Sequence, residues 1–303
     1  MTDRQLECIV TIANNASITE AAKKLFVSQS SLSQSLSNVE RELGVSLFTR
    51  SSGNLEMTYA GEEFVHAARE ILEIKKNITN RLADLEHSPR GKITVGISQK
   101  RSWLFMPSVL ATFMKKYPEA KVVFIEAEQQ LLDEIVLTGK ADLAFTTQAP
   151  VKRELEYHHL YQEHILLALP KDHALCSEFQ QHGIADISRL EETPFILNHQ
   201  GHDIRAISDR IFHDFHIDPV IILESHSMDV CFQLAAYGLG AAIIPDTLEK
   251  SHPSKEQVQC FRVGNAYSRP VSIIYRKNLY MSFLLKEFVR IATEQIVTKY
   301  VDG

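Results

Sequence analysis

Apolar residues recur at helical spacing in two short segments at the start of the chain. The first covers residues 6–13 and stops at Asn14-Asn15, a pattern that predicts an amphipathic helix. The second begins with Ser17 at the N-cap and has Glu20 three residues later, which is the spacing of a capping box. We therefore expect two short helices separated by one turn.

A third helix is predicted from Ser28 to Gly44, in the sequence SQSSLSQSLSNVERELG. Ser28 is suited to cap its start, and Gly44 is suited to end it as the C′ residue. Apolar residues at i, i+4, i+7 and i+11 form one stripe that we expect to be buried: Leu32, Leu36, Val39 and Leu43. The opposite face carries uncharged polar side chains: Gln29, Ser30, Ser33, Gln34 and Ser37.

The neutral polar face of this third helix is suited to contact with DNA. Short hydroxyl and amide side chains can hydrogen-bond base edges and phosphates while the helix backbone approaches closely. Two short helices, a tight turn and a third helix with such a face form a helix-turn-helix. The alternative interpretation is a helix whose polar face is solvent-exposed and has no binding role.

A β-hairpin is predicted directly after these helices. Residues 47–50 and 55–58 are short apolar runs, and a polar turn that contains glycine separates them at residues 51–54. The arrangement is typical of a hairpin with a four-residue turn. Beside a helix-turn-helix the hairpin is a wing, and Arg50 and the turn would reach the phosphate backbone or the minor groove.

A long helix is predicted from Tyr59 to about Leu85, a stretch without proline. Its apolar positions alternate spacings of four and three over about three heptads, the a/d seam of a coiled coil. The seam consists of Phe64, Ala68, Ile71, Lys75, Ile78, Leu82 and Leu85. An apolar stripe of this kind has to be covered. It either pairs with a partner helix or packs against its own domain. Residues 86–91 break the helix and are the predicted domain hinge.

The remaining residues alternate short β-rich runs with helical periods, which indicates an α/β domain. The first four of these β-rich runs are nearly continuously apolar, as in sheets that are covered on both faces. Strands are predicted around residues 93–97, 122–125, 143–145, 165–169, 195–197, 220–223, 242–244 and 271–275. Helices are predicted at residues 103–117 and 131–137, and again from about Met281.

Composition narrows the classes of function. The 303 residues are 45% hydrophobic, enough for a large core and about two or three domains. The formal charge is −6, which argues against a general polyanion binder because such affinity comes from lysine and arginine. No signal peptide and no apolar run long enough to span a membrane is found, so we expect a cytoplasmic protein. The four cysteines are isolated, which indicates reduced thiols.

No motif in the chain supports an enzyme. Patterns of the GxGxxG, P-loop, GxSxG and HExxH types do not occur, so neither a nucleotide cofactor nor a catalytic nucleophile is indicated. Thirteen histidines include closely spaced pairs, but a structural zinc site requires four convergent ligands. We expect no metal, no cofactor and no catalytic residue.

The motifs of the first 61 residues resemble those of LysR-type transcriptional regulators. They are, in order, Ala21–Leu25, Ser28–Gln29, Leu32–Ser33, Glu40–Gly44, Leu47–Arg50 and Met57–Gly61. The family usually has proline and alanine where this chain has Ser30 and Ser31. It often has arginines at Gln34, Ser37 and Asn38. These departures leave fewer positive charges for phosphates.

The resemblance implies a winged helix-turn-helix in residues 1–58 and a linker and dimerisation helix in residues 59–88. DNA contacts are expected at Ser28, Gln29, Ser30, Ser31, Ser33, Gln34, Ser37, Arg50, Ser52 and Asn54. It further implies a homodimer or homotetramer on double-stranded operator DNA, with RNA polymerase as a partner. Action as an activator and action as a repressor are both open.

The same resemblance extends through the α/β part of the chain. Its landmarks are Phe113 with Tyr117-Pro118, Gly139–Ala144, Pro170–Leu175 and Gly238–Pro245. It implies a periplasmic-binding-protein-like effector domain of two α/β lobes in residues 92–303. The expected lobes are residues 92–163 with 269–303, and residues 164–268, with strands crossing near His164 and Ser268. A secreted binding protein is the rival, which the missing signal and the attached winged helix disfavour.

Open α/β sheets bind ligands at the carboxyl ends of their strands. The family resemblance implies contacts to a small-molecule effector in these loops, at Ser98, Arg101, Ser102, Thr147, Asn198 and His226. Lys100 and Arg101 favour an anionic metabolite, and the alternative is that both face solvent. Trp103 is expected to lie in the core of a lobe.

Overall fold

The computed structural model describes residues 1–51, 54–85, 90–264 and 267–301. It divides into two units. The first unit contains residues 1–91 and the short segments 138–140 and 278–284. The second contains residues 92–137, 141–277 and 285–303.

The first unit has three helices, a β-hairpin and a long helix. Its elements are α1 (Asp3–Asn15), α2 (Ile18–Leu25), α3 (Gln29–Leu43), β1 (Phe48–Ser51), β2 (Asn54–Met57) and α4 (Tyr59–Leu85). All six were predicted. Ser28 caps α3 by accepting the N–H of Ser31 at 3.1 Å, and Gly44 ends it in the left-handed conformation with φ of 74°. Cap residues thus define the ends of α3.

The predicted capping box of α2 is formed only in part. The hydroxyl of Ser17 accepts the N–H of Glu20 at 3.3 Å, but the carboxylate of Glu20 accepts from Nζ of Lys23 at 2.7 Å. A complete capping box, which was not predicted, begins α1 at Thr2 and Gln5. All three helices therefore have side-chain N-caps.

The apolar stripe of α3 is buried except at its end. Leu32, Leu36 and Val39 join a core formed with α1, α2 and the hairpin. Leu43 is 42% exposed, so the prediction of its burial was wrong. It lies in the last turn of α3, directly before the cap at Gly44, where the core no longer covers the helix.

The hairpin is tied to α3 by a single carboxylate. Oε1 of Glu40 accepts the backbone N–H of Leu47 at 2.7 Å and that of Phe48 at 3.3 Å. At the other end of the hairpin, a Cβ on Gly61 would lie 2.0 Å from the carbonyl oxygen of Leu47. Only glycine permits this close approach of α4 to the chain before β1.

The turn of the hairpin is shorter than predicted. The antiparallel register continues to the pair Ser51 and Asn54, so these two residues belong to the strands and not to the turn. The connecting residues 52–53 lie outside the described part of the chain.

The predicted apolar seam on α4 is covered in the first half of the helix and exposed in the second. Phe64 packs against the winged-helix core and Ala68 is buried, which is the packing within its own domain that was the alternative. Lys75 forms an ion pair with Asp3 of α1. The second half of the helix exposes an apolar stripe of Ile71, Ile74, Ile78 and Leu82. The side chain of Leu85 lies outside the described residues.

The second unit is α/β. Its strands are β3 (Gly91–Ile97), β4 (Ala120–Glu126), β5 (Leu143–Thr146), β6 (Leu155–Pro170), β7 (Pro194–Asn198), β8 (Val220–Ser225), β9 (Ala242–Pro245), β10 (Val258–Arg262) and β11 (Ser268–Arg276). Its helices are α5 (Gln99–Lys116), α6 (Leu132–Leu137), α7 (Cys176–His182), α8 (Asp203–Asp214), α9 (Met228–Ala236), α10 (Asp246–Ser251) and α11 (Phe283–Tyr300). The strand β10 was not predicted, and α5 begins before the predicted residue 103.

Strand β6 belongs to both lobes. Its first half pairs with β11, and this pairing ends at His164 and Ser268. From Ile165 onwards it pairs with β9 and β10. The sheet order is β10-β6-β11-β5-β3-β4. The change of partner in the middle of one strand separates the part of the unit built on β3 and β5 from the part built on β9 and β10.

Strands β7 and β8 form a separate parallel pair. Phe195, Ile196 and Leu197 of β7 are buried. Four residues of β8 are exposed: Val220, Ile221, Ile222 and Leu223. Coverage on both faces was predicted only for β3, β4, β5 and the second half of β6, and that prediction was wrong for β4, where residues 122–125 are only half-buried.

Within the described ranges, none of the helices is both long enough and apolar enough to cross a membrane.

Candidate functional site

The structure has two candidate sites, of which the first is the exposed face of α3. Five residues on it are exposed: Gln29, Ser30, Ser31, Gln34 and Ser37. Ser33 is half-buried. Ser28 acts as the N-cap, and its hydroxyl also lies 3.0 Å from that of Ser30. All the predicted DNA-contacting residues of this helix except Ser33 are thus exposed.

The amide side chains on this face have defined neighbours. Oε1 of Gln29 accepts a hydrogen bond from the hydroxyl of Thr19 on α2 at 3.1 Å. Nε2 of Gln34 donates to Oδ1 of Asn38 at 3.0 Å, and the guanidinium of Arg41 donates to the same oxygen at 2.6 Å. The two glutamines are therefore oriented before any ligand arrives.

The wing residues Arg50 and Asn54 are described by their backbone pairing. The backbone of Arg50 pairs with Leu55, and that of Asn54 pairs with Ser51. Ser52 and the side chains of Arg50 and Asn54 lie outside the described residues. Their predicted DNA contacts stay predictions.

The second candidate site is a cavity of about 1400 Å³ in the second unit. It is lined by residues that follow the carboxyl ends of β3, β5, β7 and β8, and by the first turns of α5, α8 and α9. This is where open α/β folds bind ligands. The residues that line the cavity include Ser98, Lys100, Arg101, Trp103, Thr147, Glu163, His199, Asp203, Arg205, His226, Asp229 and Arg269.

A network of alternating charges forms one wall of this cavity. The guanidinium of Arg101 donates to Oε2 of Glu163 at 2.8 Å, and Nε of Arg269 donates to the same oxygen at 2.6 Å. Arg269 also pairs with Asp203, which accepts from the hydroxyl of Thr147 at 2.8 Å. Two cations and two carboxylates therefore compensate each other, as groups buried in this way require.

The electrostatics follow from burial and pairing. Burial acts to raise the pKa of Glu163, but the charges of Arg101 and Arg269 hold it below its usual value. Burial likewise opposes ionisation of Asp203, yet Arg269 keeps the pKa of that carboxyl well below its usual range. Burial raises the pKa of Tyr161, beside Arg101, to about 12. Both carboxylates of the network are thus ionised at neutral pH.

A separate ion pair crosses the cavity. Lys100, in the first turn of α5, pairs with Asp229 in the first turn of α9. Nζ of Lys100 also lies 4.8 Å from the centroid of the Trp103 ring, a cation–π arrangement. On the side of the second lobe the rings of His199 and His226 stack with centroids 4.6 Å apart.

The structure brings four of the six predicted effector residues to the cavity: Ser98, Arg101, Thr147 and His226. Ser102 and Asn198 are not among its described lining residues. Nδ2 of Asn198 donates to the carbonyl of Ser225 at 3.2 Å, so the side chain joins the ends of β7 and β8.

Two sequence-based expectations about charged and aromatic residues were wrong. Trp103 is 60% exposed and lines the cavity, although it was expected in the core of a lobe. The next two residues of α5, Leu104 and Phe105, are the ones that are buried. Arg101 is only 5% exposed, so the alternative that it faces solvent was wrong as well.

Sequence reasoning missed Glu163, which is the partner of Arg101, and Arg269, which binds the same carboxylate. Glu163 lies on β6, directly before His164, and Arg269 lies on β11, directly after Ser268. These neighbours are the predicted crossing points of the two lobes. Charged residues beside a predicted strand crossing were the signal that could have found them.

The thiols and histidines suggest no further chemistry. Cys8, Cys176 and Cys231 are buried free thiols, and Cys260 is half-buried. Burial raises the pKa of Cys231 to about 11 and also raises that of Cys260, which keeps both thiols protonated and unreactive at neutral pH. Among the described residues, no group of three or more metal-ligating side chains is found.

Comparison with known proteins identifies both parts of the chain. Residues 4–62 match the family described as bacterial regulatory helix-turn-helix protein, lysR family, and residues 86–296 match the LysR substrate binding domain. The uncharacterized HTH-type transcriptional regulator YcgK of Bacillus subtilis is 24% identical, over 98% of this chain and 96% of its own length.

Solved structures share the fold. A full-length OxyR from Pseudomonas aeruginosa has a TM-score of 0.71 at 23% identity, covering 98% of this chain and 95% of that one. Full-length CbnR, solved in complex with its target DNA, has a TM-score of 0.60 at 24% identity, covering 97% and 100% of the two chains. The predicted fold, a helix-turn-helix domain followed by a two-lobed α/β domain, is confirmed. The chain belongs to the LysR family of bacterial helix-turn-helix transcriptional regulators.

Proposed function

We propose that the exposed face of α3 reads operator DNA and that a small molecule in the cavity of the second unit regulates this binding. LysR-type proteins are DNA-binding transcriptional regulators with an effector domain, and they are not enzymes. The proposed division of this chain is residues 1–58 for DNA binding, 59–88 for linkage and dimerisation, and 92–303 for the effector. Within the last part, one lobe takes residues 92–163 and 269–303, and the other takes residues 164–268.

The face of α3 supports the proposal for DNA. Its exposed side chains are uncharged, so they can approach base edges without burying an unpaired charge. The proposed contacts are those expected from the sequence: Ser28, Gln29, Ser30, Ser31, Ser33, Gln34 and Ser37 on α3, and Arg50, Ser52 and Asn54 in the wing. Because few cations accompany them, the affinity depends on several copies of the domain acting together.

The exposed stripe of α4 supports dimerisation. Ile71, Ile74, Ile78 and Leu82 present apolar surface at spacings of three and four residues, the pattern that pairs two helices. A dimer presents two recognition helices to two half-sites. We further propose that two dimers form a tetramer on the operator and that RNA polymerase is the partner whose recruitment changes. We propose that this activity takes place in the cytoplasm, where a bacterial regulator meets genomic DNA.

The cavity supports a role in effector binding. It is lined by strand ends from both lobes, so a ligand that binds one arrangement of the lobes better will shift the population towards it. Lys100 and Arg101 support an anionic ligand. The structure adds that each of these cations already has a carboxylate partner.

The observation that carries the DNA proposal is the exposed neutral face of α3. The test is selection of binding sites from a random DNA pool, followed by fluorescence anisotropy on the selected operator and on random DNA. Gln29→Ala is expected to weaken operator binding much more than random binding, because one base-edge contact carries about 1–3 kcal/mol of discrimination. Gln180→Ala, which removes a glutamine exposed on α7, is the matched control. No enriched sequence, or equal losses on both DNAs, would contradict the proposal.

A further inference from the structure

We propose that Lys100 is the exchangeable cation of the cavity, and that the anionic group of the effector replaces Asp229 as its partner. The ligand class is a small organic anion, a carboxylate or a phosphate, whose body contacts Trp103. The inference rests on the proposed effector role of the cavity. It adds the residue that senses the ligand and the contact that the ligand breaks.

Two of the four cations that line the cavity are unsuitable for exchange. Arg101 and Arg269 both bind Glu163, which is 1% exposed. A ligand that took either arginine would weaken the compensation of a carboxylate that water cannot reach. Removing a partner from a buried charge is strongly unfavourable.

Arg205 is held at too many points to be released. Its guanidinium donates to Asp209, to Glu224 and to the carbonyl oxygen of Asn198. The residue is only 6% exposed. A ligand at Arg205 would have to replace three acceptors at once.

The carboxylate partner of Lys100, Asp229, is accessible to water. The side chain of Asp229 is 42% exposed, so water can solvate the carboxylate after release. Asp229 also lies in the first turn of α9, where the helix dipole stabilises a negative charge without the lysine. Of the four cations, Lys100 is therefore the one whose partner can be exchanged at small cost.

The exchange connects ligand binding to the arrangement of the lobes. Lys100 belongs to α5, which follows β3, and Asp229 belongs to α9, which follows β8. Their ion pair joins helices that are attached to different sheets. When the ligand takes Lys100, this contact is lost and a new one forms through the ligand. The two states then differ in a contact that the ligand controls, which is the requirement for a shift in population.

Trp103 provides a direct measurement because it is the chain's one tryptophan and Nζ of Lys100 lies over its ring. The experiment titrates the full-length protein with phenylacetate, with inorganic phosphate and with the uncharged phenylacetamide, at constant ionic strength held with sodium chloride. Emission of Trp103 is the readout. We expect a saturable change with the two anions and none with phenylacetamide.

Three variants test the exchange itself. Asp229→Asn removes the competing carboxylate and should increase the affinity for both anions by about fivefold, which is the upper range for a partly exposed ion pair. Lys100→Met should abolish the response. Lys115→Met removes an exposed charge from the far end of the same helix and should leave it unchanged.

Several results would overturn the inference. They are a response that persists in Lys100→Met, anion affinities that Asp229→Asn leaves unchanged, and the lack of saturable binding of either anion by both the wild type and Asp229→Asn. Operator anisotropy on the same preparations separates the two proposals. Intact operator binding without anion exchange refutes only the role of Lys100, whereas anion exchange without operator binding refutes only the DNA proposal.

Discussion

The hydroxyl of Thr19 on α2 donates a hydrogen bond to Oε1 of Gln29 on α3, at 3.1 Å. The two residues belong to the two helices of the helix-turn-helix and are both exposed. The contact occupies the carbonyl oxygen of the amide, and the Nε2 donors take no part in it. In this orientation Gln29 presents hydrogen-bond donors, which match acceptors such as guanine O6 and N7 or a phosphate oxygen.

Thr19→Val is expected to weaken operator binding by about two- to tenfold, the range for one hydrogen bond. The effect should disappear in the Gln29→Ala background, because Thr19 acts only through that amide. A double-mutant cycle by fluorescence anisotropy measures this coupling. Thr11→Val, which removes a hydroxyl from α1, is the control. An equal loss in both backgrounds would show that Thr19 acts independently of Gln29.

Glu40→Ala is expected to destabilise the first unit by about 2 kcal/mol, because it leaves the N–H of the buried Leu47 without its acceptor. The measurement is chemical unfolding followed by circular dichroism. Glu42→Ala on the same helix removes only an exposed ion pair with the N-terminus and should change stability by less than about 0.5 kcal/mol. Equal effects of the two substitutions would refute the role of Glu40 in holding the wing.

Glu163→Gln is expected to destabilise the second unit by about 3–5 kcal/mol at neutral pH, since it removes the charge that compensates two buried arginines. The pKa of Glu163 is lowered in the folded protein. Its contribution is therefore present above the unfolded value of 4.5 and is lost as the pH falls through the lowered folded pKa. Unfolding of wild type and variant is compared from pH 8 to pH 3.

The stability difference should be constant at the upper end of that range and should decrease below about pH 4.5. A difference that does not change between pH 8 and pH 3 would mean that the charge of Glu163 contributes nothing to the fold.

Asp133→Asn is expected to stabilise the second unit, by on the order of 1 kcal/mol at neutral pH. Asp133 is 3% exposed, and neither carboxylate oxygen has a hydrogen-bond partner. Burial raises the pKa of this carboxyl, so its ionised form opposes folding above the raised value. The gain in the free energy of unfolding should disappear as the pH falls towards 3.8, the unfolded value.

The control for this substitution is Asp172→Asn, which changes an exposed carboxyl and should have little effect at any pH. A loss of stability in Asp133→Asn at neutral pH would show that the carboxylate has a favourable partner.

Local patterns were sufficient for most of the first unit. Ser28 and Gly44 define the two ends of α3 through contacts within four residues of the chain. Such contacts depend little on the rest of the fold. Leu43 shows the limit of this reasoning, because helical spacing identifies a face but does not indicate where the core beneath it ends.

Strands of the second unit were easier to predict than their partners. The apolar second half of β6 was predicted. Its first half was missed because polar residues such as Glu156 and His158 interrupt the apolar ones. That half is a strand because β11 pairs with it over most of its length. Pairing with a strand about a hundred residues later in the chain cannot be read from a short window.

The sequence by itself determined the helix-turn-helix, the polar face of α3 and the strand-end loops that carry the candidate effector residues, because periodicity and capping act within one or two turns of chain. The tertiary structure alone decided which charges meet. Glu163 and Arg269 lie 106 residues apart, and Lys100 and Asp229 lie 129 apart. An ion pair of this kind is defined by distance in space, and that distance is set only when β6 changes its partner and the two lobes form around it.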